Sequence, residues 1–77
     1  MEDWQKRFGA RVRALRKERG LTQERLAVDA EIDLTYLGGI ERGRRNPTLS
    51  VIVRIAEALQ VSPSAIFDYD PTTDAEV

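Results

Sequence analysis

A short segment near the middle of the 77-residue chain is rich in side chains that can bind an anion. Its sequence is ERGRRNP, in which Arg42, Arg44 and Arg45 carry guanidinium groups whose forked N–H donors match the oxygens of a phosphate. Asn46 adds an amide donor beside them. A run of charged residues is usually a solvated face, so a binding role for this segment needs support from the elements around it.

The charges of the chain are unevenly distributed. Residues 1–54 contain 12 basic and 8 acidic residues, whereas residues 55–77 contain 5 acidic residues and no basic one. The net charge of −1 therefore conceals two parts of opposite sign. This distribution is typical of a protein with one face that attracts an anion and an acidic end that avoids it, and equally of a solvated surface with an acidic tail.

Side chains suited to catalysis or metal binding are scarce. The sequence has no histidine and no cysteine, which removes the usual general base near neutral pH and most ligands of transition metals. Asp29, Glu31 and Asp33 are close in sequence, but with no basic or metal-binding companion they support a divalent ion only weakly. We predict that the protein is not an enzyme and needs neither a metal nor a cofactor.

The N-terminal segment MEDWQKRFGARVR opens with acidic residues and lacks a continuous apolar stretch. It matches neither a signal peptide nor a membrane span, so we expect a cytoplasmic protein that does not bind a membrane. A chain of this length forms one domain with a small core, and without cysteines no disulfide can stabilise it. Oligomerisation is therefore expected from size alone.

Apolar residues with helical spacing and helix-capping residues predict five helices. Trp4, Phe8, Val12 and Leu15 form the buried stripe of a first helix that ends at Gly20. The later helices begin at the capping residues Thr22, Asp33, Thr48 and Ser62.

The same spacing predicts which residues of these helices face inward. In the second helix they are Leu26 and Ala27. In the third helix Leu34, Leu37 and Ile40 recur at a spacing of three residues, which supports a helix that ends at Gly43. In the fourth they are Leu49, Ile52, Val53, Ala56 and Leu59. The fifth helix starts with Pro63 and runs to about Tyr69.

Short connections and the absence of a strand pattern predict an all-α, compact five-helix bundle. Helices 2 and 3, joined by a tight turn, have the outline of a helix-turn-helix. Residues 1–70 form this single domain, and residues 71–77 form a flexible acidic tail.

Longer sequence motifs make the assignment of a helix-turn-helix more specific. The string GLTQERLA at residues 20–27 is followed by YLGGIERGRRNPTL at residues 36–49 and later by LQVSP. Together they closely resemble the Cro-like and lambda-repressor-like helix-turn-helix family, over about residues 8–67. The chain is most similar to the controller proteins of restriction-modification systems, with small phage repressors and antitoxins as close alternatives. The resemblance implies a homodimeric, sequence-specific DNA-binding transcription regulator that controls its own operon.

The resemblance also implies roles for individual residues. The positions that face DNA bases in this family carry Leu34, Thr35, Gly38 and Gly39. The positions that contact phosphates carry Gln23, Tyr36, Arg42, Arg44, Arg45 and Asn46. Among the base-facing residues only Thr35 can both donate and accept a hydrogen bond, so specificity should depend largely on DNA shape and deformability.

The adjacent glycines Gly38 and Gly39 are unusual in a helix interior, where each costs about 0.5–1 kcal/mol relative to alanine. One explanation is that a face without side chains lets the helix backbone approach the DNA closely. The alternatives are that the glycines avoid a clash with another helix or that DNA binding has weakened.

Two further positions have implied structural roles. Arg16 and Glu41 match a pair that forms an internal salt bridge between the first and third helices of phage repressors. Such a pair sets the angle of the third helix more than it adds net stability. Glu31 occupies the turn between the second and third helices where the family usually has glycine, so we expect a positive φ and a mildly strained turn.

The C-terminal part provides candidates for a dimer interface, namely Val61, Ile66, Phe67 and Tyr69. The corresponding helix forms the two-fold interface of controller proteins. A symmetric dimer would place two recognition helices about 34 Å apart on a palindromic operator. The alternative function is a protein-interaction module that uses the same scaffold to bind a toxin or a subunit of RNA polymerase, with affinity that does not depend on salt.

Overall fold

A computed structural model of the chain describes residues 3–68, which form five α-helices and no strand. The helices are α1 (Trp4–Glu18), α2 (Gln23–Ala30), α3 (Leu34–Glu41), α4 (Leu49–Leu59) and α5 (Pro63–Phe67). The predicted all-α fold is confirmed. The fifth helix ends at Phe67, and both Tyr69 and residues 71–77 lie outside the described residues. No helix in the described part is long and apolar enough to cross a membrane.

Side-chain caps start four of the five described helices. The side-chain oxygens of Asp3, Thr22, Asp33 and Thr48 each accept a hydrogen bond from the backbone N–H three residues later. Such caps satisfy amide groups that have no partner within the helix. Ser62 differs, because its hydroxyl lies 2.8 Å from that of Ser64 and makes no cap hydrogen bond.

The same four helices end with a residue in the left-handed conformation. These residues are Gly20, Glu31, Gly43 and Gln60, with φ values of 68°, 58°, 75° and 59°. The amide of the next residue then donates to a carbonyl five residues back, as Ile32 does to Ala27 and Val61 to Ala56. The positive φ predicted for Glu31 is confirmed, whereas nothing in the sequence pattern indicates that of Gln60.

One core connects all five of the described helices. Its most completely buried large side chains are Val12, Leu26, Leu37, Ile40, Ile55, Leu59 and Ile66. Two features of the predicted apolar stripes are wrong. Trp4 is 53% exposed because it lies in the first turn of α1, beyond the helices that cover Phe8 and Val12. In α4 the buried face contains Val51 and Ile55, while Leu49 is 76% exposed.

The backbones of α1 and α3 approach each other closely at Gly9. A Cβ atom on Gly9 would collide with the carbonyl oxygen of Ile40 and lie 3.0 Å from that of Glu41. Because both of these atoms belong to the backbone of α3, neither can move aside without moving the helix. Gly9 therefore sets the distance between α1 and α3, and α3 is the helix that carries the candidate site.

We expect Gly9→Ala to destabilise the protein by about 1–3 kcal/mol, as overpacking of a well-packed core does. Urea unfolding would measure the change. The matched control is Gly38→Ala, because the nearest atom to a Cβ there is Nη1 of Arg42, the movable end of a side chain, at 3.1 Å. This control should gain about 0.5–1 kcal/mol from helix propensity. Equal effects of the two substitutions would contradict the close-approach explanation.

Gln60→Gly should stabilise the protein by about 0.5–1 kcal/mol, because glycine adopts the left-handed conformation without the steric cost of a Cβ atom. In a domain of this size the gain corresponds to a rise of roughly 2–8 °C in Tm, measurable by thermal unfolding. The reverse control is Gly20→Ala, where φ is 68° and a Cβ would meet no atom within 4 Å. It should lower Tm without any clash, and a neutral result would show that this conformation carries no strain.

Candidate nucleic-acid interface

The α3 helix has one face in the core and one on the surface. Leu37 and Ile40 are buried, whereas Thr35 and Leu34 at the start of the helix are exposed. The exposure of Leu34 is compatible with the base-facing position that the resemblance implies. Residues 31–33 join α2 to α3 in a tight turn, so the two helices form the expected helix-turn-helix.

The carboxylate of Glu41 connects three helices. Arg16 on α1 donates to it twice, from Nε to Oε2 at 2.7 Å and from Nη2 to Oε1 at 3.1 Å. Gln23, the first residue of α2, donates from Nε2 to Oε1 at 2.9 Å. The remaining Nη1 of Arg16 donates to the carbonyl of Leu21 at 2.8 Å. The ion pair that the resemblance implies is thus present, and it includes a third partner that the sequence did not indicate.

Gln23 is half-buried and holds Glu41 through one N–H of its amide group. Its nitrogen carries a second N–H, since a primary amide has two donors. The residue also lies at the N-terminus of α2, where the backbone N–H groups attract anions. Contact with Glu41 and contact with a phosphate are therefore compatible, and the phosphate contact stays a prediction.

The glycine pair in α3 does not leave the helix backbone bare. Gly38 and Gly39 are both buried, because the side chains of Arg42 and Arg45 lie over them. A clash with another helix is not what the pair avoids, because its nearest neighbours are the side chains of two arginines at and after the end of α3.

The polar segment after α3 is exposed. It contains Arg42, Arg44, Arg45 and Asn46. The amide of Arg44 donates to the carbonyl of Gly39 at 2.9 Å, which fixes the start of this segment on the last turn of α3. The guanidinium carbon of Arg45 lies 5.8 Å from the centre of the half-buried Tyr36 ring. The structure therefore places four side chains that can bind phosphate directly after the C-terminal end of α3.

The three acidic residues around the turn have separate structural roles. Asp29 accepts a hydrogen bond from Nε of Arg25 at 3.0 Å, so it does have a basic companion. Asp33 caps α3 and Glu31 ends α2. In the described part of the chain no group of three acidic side chains is arranged to hold a metal ion.

The residues predicted for a dimer interface differ in exposure. Ile66 is only 2% exposed and belongs to the core, so its assignment to an interface is wrong. Phe67 is 44% exposed, and its ring lies 5.2 Å from that of Phe8. Val61 is half-buried, and Tyr69 lies outside the described residues.

A small apolar groove of about 100 Å³ adds to this surface. Its lining comprises Trp4, Gln5, Phe8, Asn46, Pro47, Ile52 and Phe67. The sequence pattern places Trp4 in the core, so this residue is missing from the predicted interface. Only the packing of α1 against α5 shows that Trp4 and Phe67 share one exposed surface.

Comparison with known proteins identifies the family of this fold. A helix-turn-helix family profile matches residues 12–66. The chain belongs to the helix-turn-helix family. The match includes the motif formed by α2 and α3 as well as most of the helices that support it.

Individual members of the helix-turn-helix family are also similar to the chain. Control protein C.BamHI of Bacillus amyloliquefaciens is 37% identical over 70 residues, which cover 90% of this chain and 86% of that protein. The immunity repressor of Bacillus phage phi105 is 50% identical over 58 residues, but these are only 40% of its length. The restriction-modification controller C.AhdI from Aeromonas hydrophila has a crystal structure that matches with a TM-score of 0.81 and 44% identity, covering 82% of this chain and 96% of that one. The predicted likeness to controller proteins is confirmed.

Glu41→Ala should destabilise this helix-turn-helix by about 3–5 kcal/mol, because it leaves the guanidinium of Arg16 buried without its counter-charge. The side chains of Arg16 and Glu41 are only 11% and 2% exposed. The matched control is Asp29→Ala, which breaks the exposed ion pair with Arg25 and should cost at most about 1 kcal/mol. Denaturant unfolding compares the two variants. Similar losses of stability would show that the buried carboxylate is not a central structural contact.

Proposed function

We propose that this helix-turn-helix regulator acts in the cytoplasm as a homodimer that binds a palindromic operator in double-stranded DNA and controls its own operon. The observation that carries the proposal is the orientation of α3. Its inner face is buried, while Leu34 and Thr35 at its N-terminal end are exposed. In helix-turn-helix proteins it is this end of the second helix that contacts base edges in the major groove.

Contacts to phosphates would provide most of the affinity. Arg42, Arg44, Arg45 and Asn46 are exposed directly after α3, and Tyr36 can add its hydroxyl. Gln23 and the N-terminus of α2 can bind the backbone on the other side of the turn. These contacts carry little sequence information, but they fix the register of the protein on DNA.

Direct reading of bases by the exposed residues of α3 itself is sparse. Leu34 offers an apolar contact to a thymine methyl group, and the hydroxyl of Thr35 can both donate and accept. Much of the selectivity should therefore come from the energy needed to deform the operator to fit two linked recognition helices. This favours operators with flexible steps between the half-sites.

The proposed dimer uses the exposed apolar surface that includes Trp4, Val61 and Phe67. Exposed apolar patches of this kind commonly mark sites of protein association. Similarity to control proteins supports a role beside a restriction-modification system rather than in a phage or toxin–antitoxin operon. The proposal extends to a contact between the DNA-bound dimer and RNA polymerase, which in vitro transcription would reveal.

The proposal is tested by titrating the protein against duplex DNA from upstream of its own coding sequence and against a scrambled duplex, at several salt concentrations. We expect tighter binding to the upstream duplex, two chains per site, and an affinity that falls steeply as salt rises. Arg44→Ala should weaken binding to both duplexes by similar factors. It should also reduce the slope of log K against log salt by about 0.9 for each phosphate that the variant no longer neutralises.

The control is Arg13→Ala, which removes an exposed arginine of α1 outside the helix-turn-helix. It should leave the salt slope nearly unchanged. Equal and weak binding to both duplexes would reject an operator in the upstream region. Tight binding to a protein without dependence on salt would instead support the interaction-module alternative.

A further inference from the structure

The side chain of Arg42 folds back onto the outer face of α3. Arg42 follows Gly38 by four residues, which places it one helical turn further along the same face. Its atoms Nη1, Cζ and Nη2 lie 3.1, 3.9 and 4.0 Å from the position that a Cβ atom of Gly38 would occupy. The guanidinium group therefore lies across the glycine, while the residue as a whole is exposed.

The side chain of Arg45 takes a similar course from the segment after α3. Its Cγ, Nε and Cδ lie 2.7, 3.4 and 3.6 Å from the position of a Cβ atom on Gly39. Its guanidinium carbon reaches to 5.8 Å from the ring centre of Tyr36, which lies nearer the N-terminus of α3. These contacts extend from the C-terminal end of α3 back towards its N-terminal end, which in the proposed complex enters the major groove of DNA.

The two arginine side chains supply hydrogen-bond donors that the base-facing residues of α3 largely lack. Leu34 has no hydrogen-bonding side chain and Thr35 has one hydroxyl, whereas each guanidinium presents five N–H donors in a planar fork. In the major groove that fork matches the O6 and N7 acceptors of guanine, and the contact between arginine and guanine is the commonest specific one. The glycine pair leaves the space in which both side chains can lie against the helix.

We propose that Arg42 and Arg45 are base-reading residues that recognise guanine in the major groove, and that Gly38 and Gly39 position them for this role. The inference rests on the proposed function, and it moves these two arginines from the phosphate-contacting to the base-reading group. Arg44 keeps its phosphate role, because its backbone amide donates to Gly39 while the side chains nearest the two glycines are those of Arg42 and Arg45. It is therefore an internal control.

The experiment starts with selection of the best-bound duplex from a random pool by the full chain. Each guanine in that duplex is then replaced in turn by 7-deazaguanine, which lacks the N7 acceptor and keeps the base pair. For the wild type we expect binding to fall about fivefold or more at the guanines that are read, within the 5- to 150-fold range of one bidentate contact. Arg42→Ala and Arg45→Ala remove every donor of the side chain, so each should abolish the penalty at its own guanine. Arg44→Ala should weaken binding but retain every penalty.

Gly39→Ala tests the positioning role separately. Its Cβ would displace the stem of Arg45 without removing any donor, and alanine is the better helix former, so the fold should persist. The variant should lose the same guanine penalty as Arg45→Ala, and in the double variant that penalty should be absent to the same extent, since both substitutions act on one contact. A merely structural role for Gly39 would leave the guanine penalties unchanged.

The outcomes separate the inference from the function on which it rests. Selective, salt-dependent binding that is insensitive to 7-deazaguanine, or penalties that persist in both Arg42→Ala and Arg45→Ala, would overturn base reading by Arg42 and Arg45 and leave the regulator intact. A wild type that enriches no sequence from the pool would overturn both proposals.

Discussion

The buried carboxylate of Glu41 is the contact on which the geometry of the candidate interface depends. It accepts hydrogen bonds from Arg16 on α1 and Gln23 on α2, and it belongs to the last turn of α3. Because removing two charges from water offsets much of their attraction, the value of this network lies more in orientation than in net stability. It sets the angle of α3 and, through Gln23, the position of the N-terminus of α2.

Close backbone contact between α1 and α3 complements this network. Gly9 allows α1 to approach the carbonyl of Ile40, and a Cβ atom on Gly43 would lie 2.7 Å from the Cα of Lys6. The C-terminal end of α3 is therefore held against α1 by polar bonds and by steric fit together. The segment that contains Arg44 and Arg45 begins at this fixed end of α3, which gives its side chains a defined position on the surface.

The proposed recognition face would combine side chains from two parts of the chain. Leu34 and Thr35 come from the start of α3, while Arg42 and Arg45 come from its end and from the segment that follows. Two glycines in a short helix lower its intrinsic propensity, but packing of the buried face compensates because tertiary contacts provide most helical stability in proteins. The glycine pair is thus unfavourable for the helix itself but leaves room for the side chains of Arg42 and Arg45.

The positions of the helices could be predicted from the sequence because they depend on neighbours within a few residues. Thr22 caps α2 through the amide of Arg25, and the left-handed turn at Glu31 could be expected because the family that the chain resembles usually has glycine there. The exposure of Trp4, the close approach at Gly9 and the burial of Gly39 under Arg45 could not be predicted in this way. Each depends on which distant segment lies against the residue, and helical periodicity carries no information about that partner.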